Sequence, residues 1–457
     1  MNSACIPLSA LAAFALALGS VRAQDLLPKA AAQSRPVVIR NVTLHTLDQA
    51  TIDGGSLWFE GGVIRGIAKK DEVMQPAPGA DPLIIDAAGK HLWPGLLAAH
   101  SQIGLVEIGM VRQTVDADEV NDMSPEALAG VAVNPDSTAI PVARGNGVLT
   151  ACVFPVGGEI PGRASVMQFE GWTNEEMAVL ADAGIVVDWP SLPDPRGRRG
   201  RGGRGPGMGA ATGAAENRDP EAATKKSRER IEETFTRALA WGRRKESDPS
   251  TAHDVQCAAL QPALRRERPV FVLADEIEEI ESALAWTQRQ QLRAVIVGGR
   301  DALLCADQLV ELSVPLILTG VHKLPRRDDI DYDAPFRLPG KLAERGVAFC
   351  IATGEEFAHE RNLPWHAATA AAFGLDRERA IAAISRDAAV ILGVGDTLGT
   401  LTIGKRATLL LTDGDPLELT TRIERAWIEG RETDLRSKQT ELAKKYRQKY
   451  AQGAVGK

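Results

Sequence analysis

Short runs of β-branched and aliphatic residues, separated by glycine-rich turns, fill the chain from Pro36 to Ala68. Val37-Val-Ile-Arg-Asn-Val-Thr-Leu44 and Ser56-Leu-Trp-Phe-Glu-Gly-Gly-Val-Ile-Arg-Gly-Ile67 predict strands joined as hairpins. A turn at Asp86-Ala-Ala-Gly-Lys90 then leads into the apolar stretch Trp93-Pro-Gly-Leu-Leu-Ala-Ala-His100. Beyond it, strand-like runs alternate with helical patterns. Gly147–Phe154, Gly184–Asp188, Pro269–Ala274, Arg293–Gly298, Val314–Thr319 and Gly346–Ala352 read as strands, and 276–290 reads as one of the intervening helices. This alternation implies parallel βα units and excludes all-helical and all-β folds. Strand-like patterning returns at 398–416 and 425–430, and charged helical patterns lie at 225–244 and 434–450. Both charged helices are expected to pack rather than to bind membrane.

Composition narrows this picture only a little. A chain of 457 residues exceeds one ordinary core, so a large barrel with a small added domain is expected. With 44 % apolar residues, 25 % charged residues and a net charge of -7, nothing calls for a polyanionic partner. Ala4 to Gly19 is an apolar run followed by Ser20-Val-Arg-Ala-Gln24, the pattern of an export leader covering 1–23. The mature protein is therefore expected to be periplasmic or secreted. Cys152, Cys257, Cys305 and Cys350 lack metal-knot spacing and read as buried thiols, with a disulfide as the alternative in an oxidising compartment. The Arg/Gly tract within about 194–220 has no apolar face and reads as a solvated insert rather than a nucleic-acid site.

The stretch from Trp93 to Gly104, with His100 and Gln102 two residues apart, resembles the first barrel strand of the amidohydrolase superfamily, in its imidazolonepropionase-like branch. The later Gly404-Lys405 strand and the Asp413-Gly-Asp-Pro416 turn are similar to that family's closing motifs. The resemblance implies an α/β fold, a (β/α)8 TIM-like barrel at 93–396 with a small β-sandwich domain built from both chain ends, 24–92 and 397–433. A terminal helix at 434–457 follows.

The same resemblance implies metal-dependent hydrolysis of non-peptide C–N bonds, with zinc or another divalent ion as cofactor. A metal lowers the pKa of bound water and polarises a carbonyl, and an aspartate moves the proton. Of the ligand positions only His100 is matched. Gln102 stands where the family carries the second histidine of strand one, Leu273 and Gly298 where it carries two further strand-end histidines, and Gly354 where it carries the catalytic aspartate. The expectation is a degenerate metal site, with a weakly active or inactive protein.

Two alternatives remain open. In one, a mononuclear hydrolase uses His100 and the Glu355 region, where Glu355, Glu356, His359, Glu360 and His366 cluster, with Glu355 and His359 as catalytic candidates. Asn362-Leu-Pro364 is expected to interrupt a helix there, and His322-Lys323 reads as solvated barrel top. In the other, the barrel mouth binds a small amide, peptide or cyclic ligand without turnover, or the chain scaffolds an intact relative. Homo- or hetero-oligomers fit either reading. No nucleic-acid partner, and no membrane contact after leader removal, is expected.

Overall fold

The computed structural model describes residues 28–70, 72, 81–192, 219–325, 327, 330–354 and 357–454. The leader, Cys5 and nearly all of the Arg/Gly tract lie outside these residues. Within Lys29–Ser437 the strands form two sheets.

The first sheet takes strands from both ends of the chain: β1 (Val37–Leu44), β2 (Ile52–Glu60), β3 (Val63–Ala68), β4 (Leu83–Asp86), β5 (His91–Pro94), then β14 (Leu409–Thr412), β15 (Ile423–Ile428) and β16 (Arg431–Glu432). Its order is β16-β15-β14-β5-β1-β2-β3, with β4 also on β1. Backbone bonds between Ile64 and both Gly404 and Lys405 carry β3 back to the approach to β14, so the sheet curls over its own core. Ile39, Val42, Leu44, Leu57, Phe59, Leu92, Leu409 and Trp427 fill that core. Alternation does this work, because Leu57 and Phe59 turn inward from the same strand.

The second sheet is the barrel: β6 (Leu96–Ser101), β7 (Val148–Val153), β8 (Gly162–Gln168), β9 (Ala178–Asp188), β10 (Val270–Ala274), β11 (Ala294–Gly298), β12 (Leu316–Thr319) and β13 (Phe349–Ala352). The last strand packs beside the first, so the sheet nearly closes. The eight-stranded α/β barrel expected from the pattern is present, with one departure. β8 runs antiparallel to both neighbours, so a hairpin stands in place of one βα unit. Its run Gly162-Arg-Ala-Ser-Val-Met-Gln is polar at alternate places and short of β-branched residues, which hid it from the periodicity. Leu97, Ala99, Cys152, Phe154, Val186, Phe271, Val297, Ile317 and Cys350 pack in the lumen.

Helix Pro220–Ser247 buries Ile231, Phe235, Ala238 and Gly242, and Asp219 caps its start. Trp286, from helix Ile277–Arg289, meets Phe235 edge-on at 5.1 Å. The four described cysteines are free and buried, and burial pushes the Cys152 and Cys350 thiols well up.

Two polar groups lie where the sheet and the barrel join. Glu170, following β8, is buried and accepts from Arg144 Nη1 (2.8 Å), Thr433 Oγ1 (2.7 Å) and the Ala30 backbone N–H (2.9 Å). On the sheet side, His45 just past the end of β1 stacks on Trp93 of the neighbouring β5 with centroids 3.5 Å apart. Its Nε2 is hydrogen-bonded to His91 Nδ1 at 3.0 Å. Burial, and secondarily the neighbouring His91, lower the His45 pKa to about 4.

Both arrangements are testable. Glu170→Ala strands a buried guanidinium and is expected to lower the unfolding free energy by about 3–5 kcal/mol, read as a fall in the urea midpoint. Replacing Arg144 and Glu170 together by methionine is expected to cost much less. For His45, the neutral ring is favoured in the folded state while the unfolded ring titrates near 6.5. Its contribution is therefore complete above pH 6.5 and is lost as the pH falls towards about 4. The melting temperature of His45→Phe should change less steeply than that of the unmodified protein across this window.

Candidate active site at the barrel mouth

The C-terminal ends of the barrel strands are where this architecture presents chemistry, because the loops there are free of the core. On β6, Leu97 and Ala99 face the lumen while Leu96 and Ala98 pack in the outer core. Strict alternation would send His100 outward with Ala98. A register shift between Ala98 and Ser101 intervenes, and the imidazole lies against Phe154, centroids 4.7 Å apart. Phe154 in turn meets Phe271 at 5.1 Å, so His100 rests on an aromatic floor.

The other positions singled out in the sequence sit at neighbouring strand ends. Gln102 lies one residue past β6, half-buried, with its carbonyl oxygen accepting from Leu105 N–H. Leu273, near the end of β10, packs against the lumen cluster, and Gly298 ends β11. Gly354 follows β13 with φ +59°, and a Cβ placed there would come within 2.7 Å of Thr319 Cβ and 2.9 Å of Gly320 N. The close passage of the β12 end keeps this position bare.

Glu355 and Glu356 lie outside the described residues. His359 and Glu360 fall in a 3₁₀ turn over Phe357–Asn362. Glu360 is buried and accepts from Thr353 Oγ1 at 3.3 Å. Two sequence expectations change here. Asn362-Leu-Pro364 does not interrupt a helix but starts one, Leu363–Ala372, because proline in a first turn gives up no bond. His322 is not simply solvated: it stacks on the buried His366 at 3.9 Å, and its Nε2 is bonded to Thr369 Oγ1 at 2.8 Å. That pairing joins residues 44 apart and has no sequence signal.

Lys323, expected to be solvated, and polar groups that the sequence reading passed over complete the rim. Gly320, at φ +78°, lets the Lys323 stem fold back over it, and Lys323 Nζ donates to Thr319 Oγ1 at 3.2 Å. Arg300 pairs with Asp275 at 3.2 Å and Arg327 with Asp301 at 3.0 Å. These line a side cavity of about 200 Å³ with Leu318 and Leu338. Ala-Asp after β10 and Gly-Gly-Arg-Asp after β11 were the available signals, being charged residues at barrel strand ends.

A divalent ion needs three or more converging donors. Among the described residues, which exclude Glu355 and Glu356, no three His, Cys, Asp or Glu side chains are so placed. The described rim offers one imidazole on an aromatic floor, hydroxyls and paired charges.

No protein-family model matches the chain. The curated protein named amidohydrolase tasK, from Hapsidospora irregularis, is 23 % identical over 442 residues, covering 87 % of this chain. The chain spans only 43 % of that relative's length. Among solved structures, an amidohydrolase from Thermotoga maritima MSB8 superposes with a TM-score of 0.75 at 23 % identity, over 88 % of this chain and all of its own. A Xaa-Pro dipeptidase with methionine in its active site gives 0.53 at 14 % identity, over 87 % of this chain and all of its own. Molinate hydrolase gives 0.52 at 15 %, covering 90 % and 96 %. The barrel, its companion sheet and these superpositions show that this chain shares the fold of the Thermotoga maritima amidohydrolase.

Proposed function

We propose that this is an exported amidohydrolase-type protein with a degenerate metal site, weakly active or inactive as a hydrolase of non-peptide C–N bonds. The similarity to proteins named as amidohydrolases supports the reaction class. The observation that carries the loss of chemistry is the setting of His100. Its ring rests on Phe154, and neither Leu273 nor Gly298 offers a donor from the neighbouring strand ends. On this reading the mouth holds a small amide, peptide or cyclic ligand through hydrogen bonds. His100 alone supplies a weak base, and the chain serves as a binder or as the scaffold partner of an intact relative.

Elemental mass spectrometry of the exported protein, before and after incubation with Zn²⁺, Mn²⁺ or Fe²⁺, tests this directly. Far less than one metal per chain is expected, unchanged in His100→Ala. Close to one metal per chain, lost in that variant, would sink the proposal and leave the mononuclear hydrolase using His100 and the Glu355 region. N-terminal sequencing of the same material should begin at Gln24.

Restoring the missing carboxylate should also fail. Gly354→Asp must place a Cβ against Thr319 at positive φ. It is expected to lower the melting temperature without raising metal content or amide hydrolysis. A screen of amides, dipeptides and lactams should return ligands that raise the melting temperature while no product accumulates.

A further inference from the structure

The helix Lys438–Ala454 falls outside the compact unit Lys29–Ser437 that holds barrel and sheet, and it lies beyond the stretch that carries the family motifs. It was expected to pack, yet every side chain from Lys438 to Gln452 is exposed. Over that span five cations face one carboxylate, Glu441.

Their placement is not random. At about 100° per residue, Leu442, Tyr446, Tyr450 and Ala443 share one arc of about 100°, interrupted only by Gln439. Lys438, Lys445 and Lys449 border that arc on one side and Arg447 on the other, while Glu441 and Lys444 lie opposite. Lys449 Nζ sits 5.9 Å from the ring centroids of both Tyr446 and Tyr450, a cation held at the edge of the apolar arc.

We infer that this helix docks the protein onto an anionic lipid surface. A ring of cations around an apolar arc matches a layer of negative headgroups over acyl chains. Tyrosine, apolar in body and polar at its tip, suits headgroup depth, and the lysine stems reach past the arc to the phosphates. A protein groove would instead ask for aliphatic anchors at successive turns, and Leu442 is the single large one here. The helix lies on the surface and does not span it: among the described residues no helix is long and apolar enough to cross. This replaces the expectation of no membrane contact, and it is independent of the chemistry at the barrel mouth.

Co-sedimentation of the full chain with vesicles is the test, using phosphatidylcholine alone or mixed with about one third phosphatidylglycerol. Binding is expected on the mixed vesicles only, and it should vanish near 1 M salt, where screening acts within about 3 Å. Each lysine near such a surface is worth roughly a five-fold change in affinity. Lys445→Glu with Lys449→Glu should therefore weaken binding at least about 25-fold, with the barrel's melting temperature unchanged. Tyr446→Ser with Tyr450→Ser should weaken it while keeping the salt dependence. Equal binding to neutral vesicles, no binding to anionic ones, or binding that survives the double charge reversal would overturn the inference. So would retention on single-stranded RNA in the absence of vesicle binding, which would assign the helix a different partner.

Discussion

Glu170 is one buried carboxylate on which three distant parts of the chain converge. Arg144 comes from the helix before β7, Thr433 from the turn after β16, and Ala30 from the segment before β1. Desolvation lowers the Arg144 pKa while Glu170 and then Asp434 oppose it, so the buried charge depends on its acids for compensation. Moving the sheet away from the barrel would leave a charge in a water-poor space without its partner. That penalty is several kcal/mol per ion, larger than most surface contacts contribute together. The pair thus sets the joint between barrel and sheet more than it adds net stability. Around it, Lys29 reaches the Pro135 carbonyl and Gln33 bonds to Phe59 and Gly62, so one segment ties both sheets.

The barrel mouth depends on a different constraint, the distance between neighbouring backbones. Where β12 and β13 end, Thr319 and Gly354 pass too closely for a side chain on the second, and positive φ there and at Gly320 turns both chains out of the barrel. A single irregularity in β6 places an imidazole on Phe154. The histidines that do meet, His322 and His366, do so beside helix Leu363–Ala372 and are engaged with each other and with Thr369. Imidazoles are present, but each is committed to stacking or hydrogen bonding.

Most of the fold was legible along the chain because burial imposes periods. β1, β2, β10, β11, β12 and β13 each follow an apolar run between turn residues, and the cap at Asp219 opens a helix whose apolar stripe returns every three to four positions. β8 escaped because its sequence carries polar residues that face Asp182 and the Gly130 backbone rather than solvent. Such partners sit far along the chain, and no local pattern announces them. At the site, the strand-end positions Gln102, Leu273, Gly298 and Gly354 were singled out through the family resemblance of the strands that carry them. The Lys323–Thr319 bond and the Asp275–Arg300 and Asp301–Arg327 pairs were not, because they form between successive loops.

By itself, then, the sequence determined the alternation of strands and helices, which follows from hydrophobic period and turn chemistry acting over a few residues; the assembly of one sheet from both chain ends was implied by the resemblance of its motifs to a known family. Only the tertiary structure decided that His100 turns onto Phe154 and that Gly354 has no room for a carboxylate. It also decided that Glu170 bolts the two sheets together and that the last helix keeps its tyrosine stripe exposed. Each of these is a matter of which surfaces come within a few ångströms of one another, and the packing of the whole chain settles that.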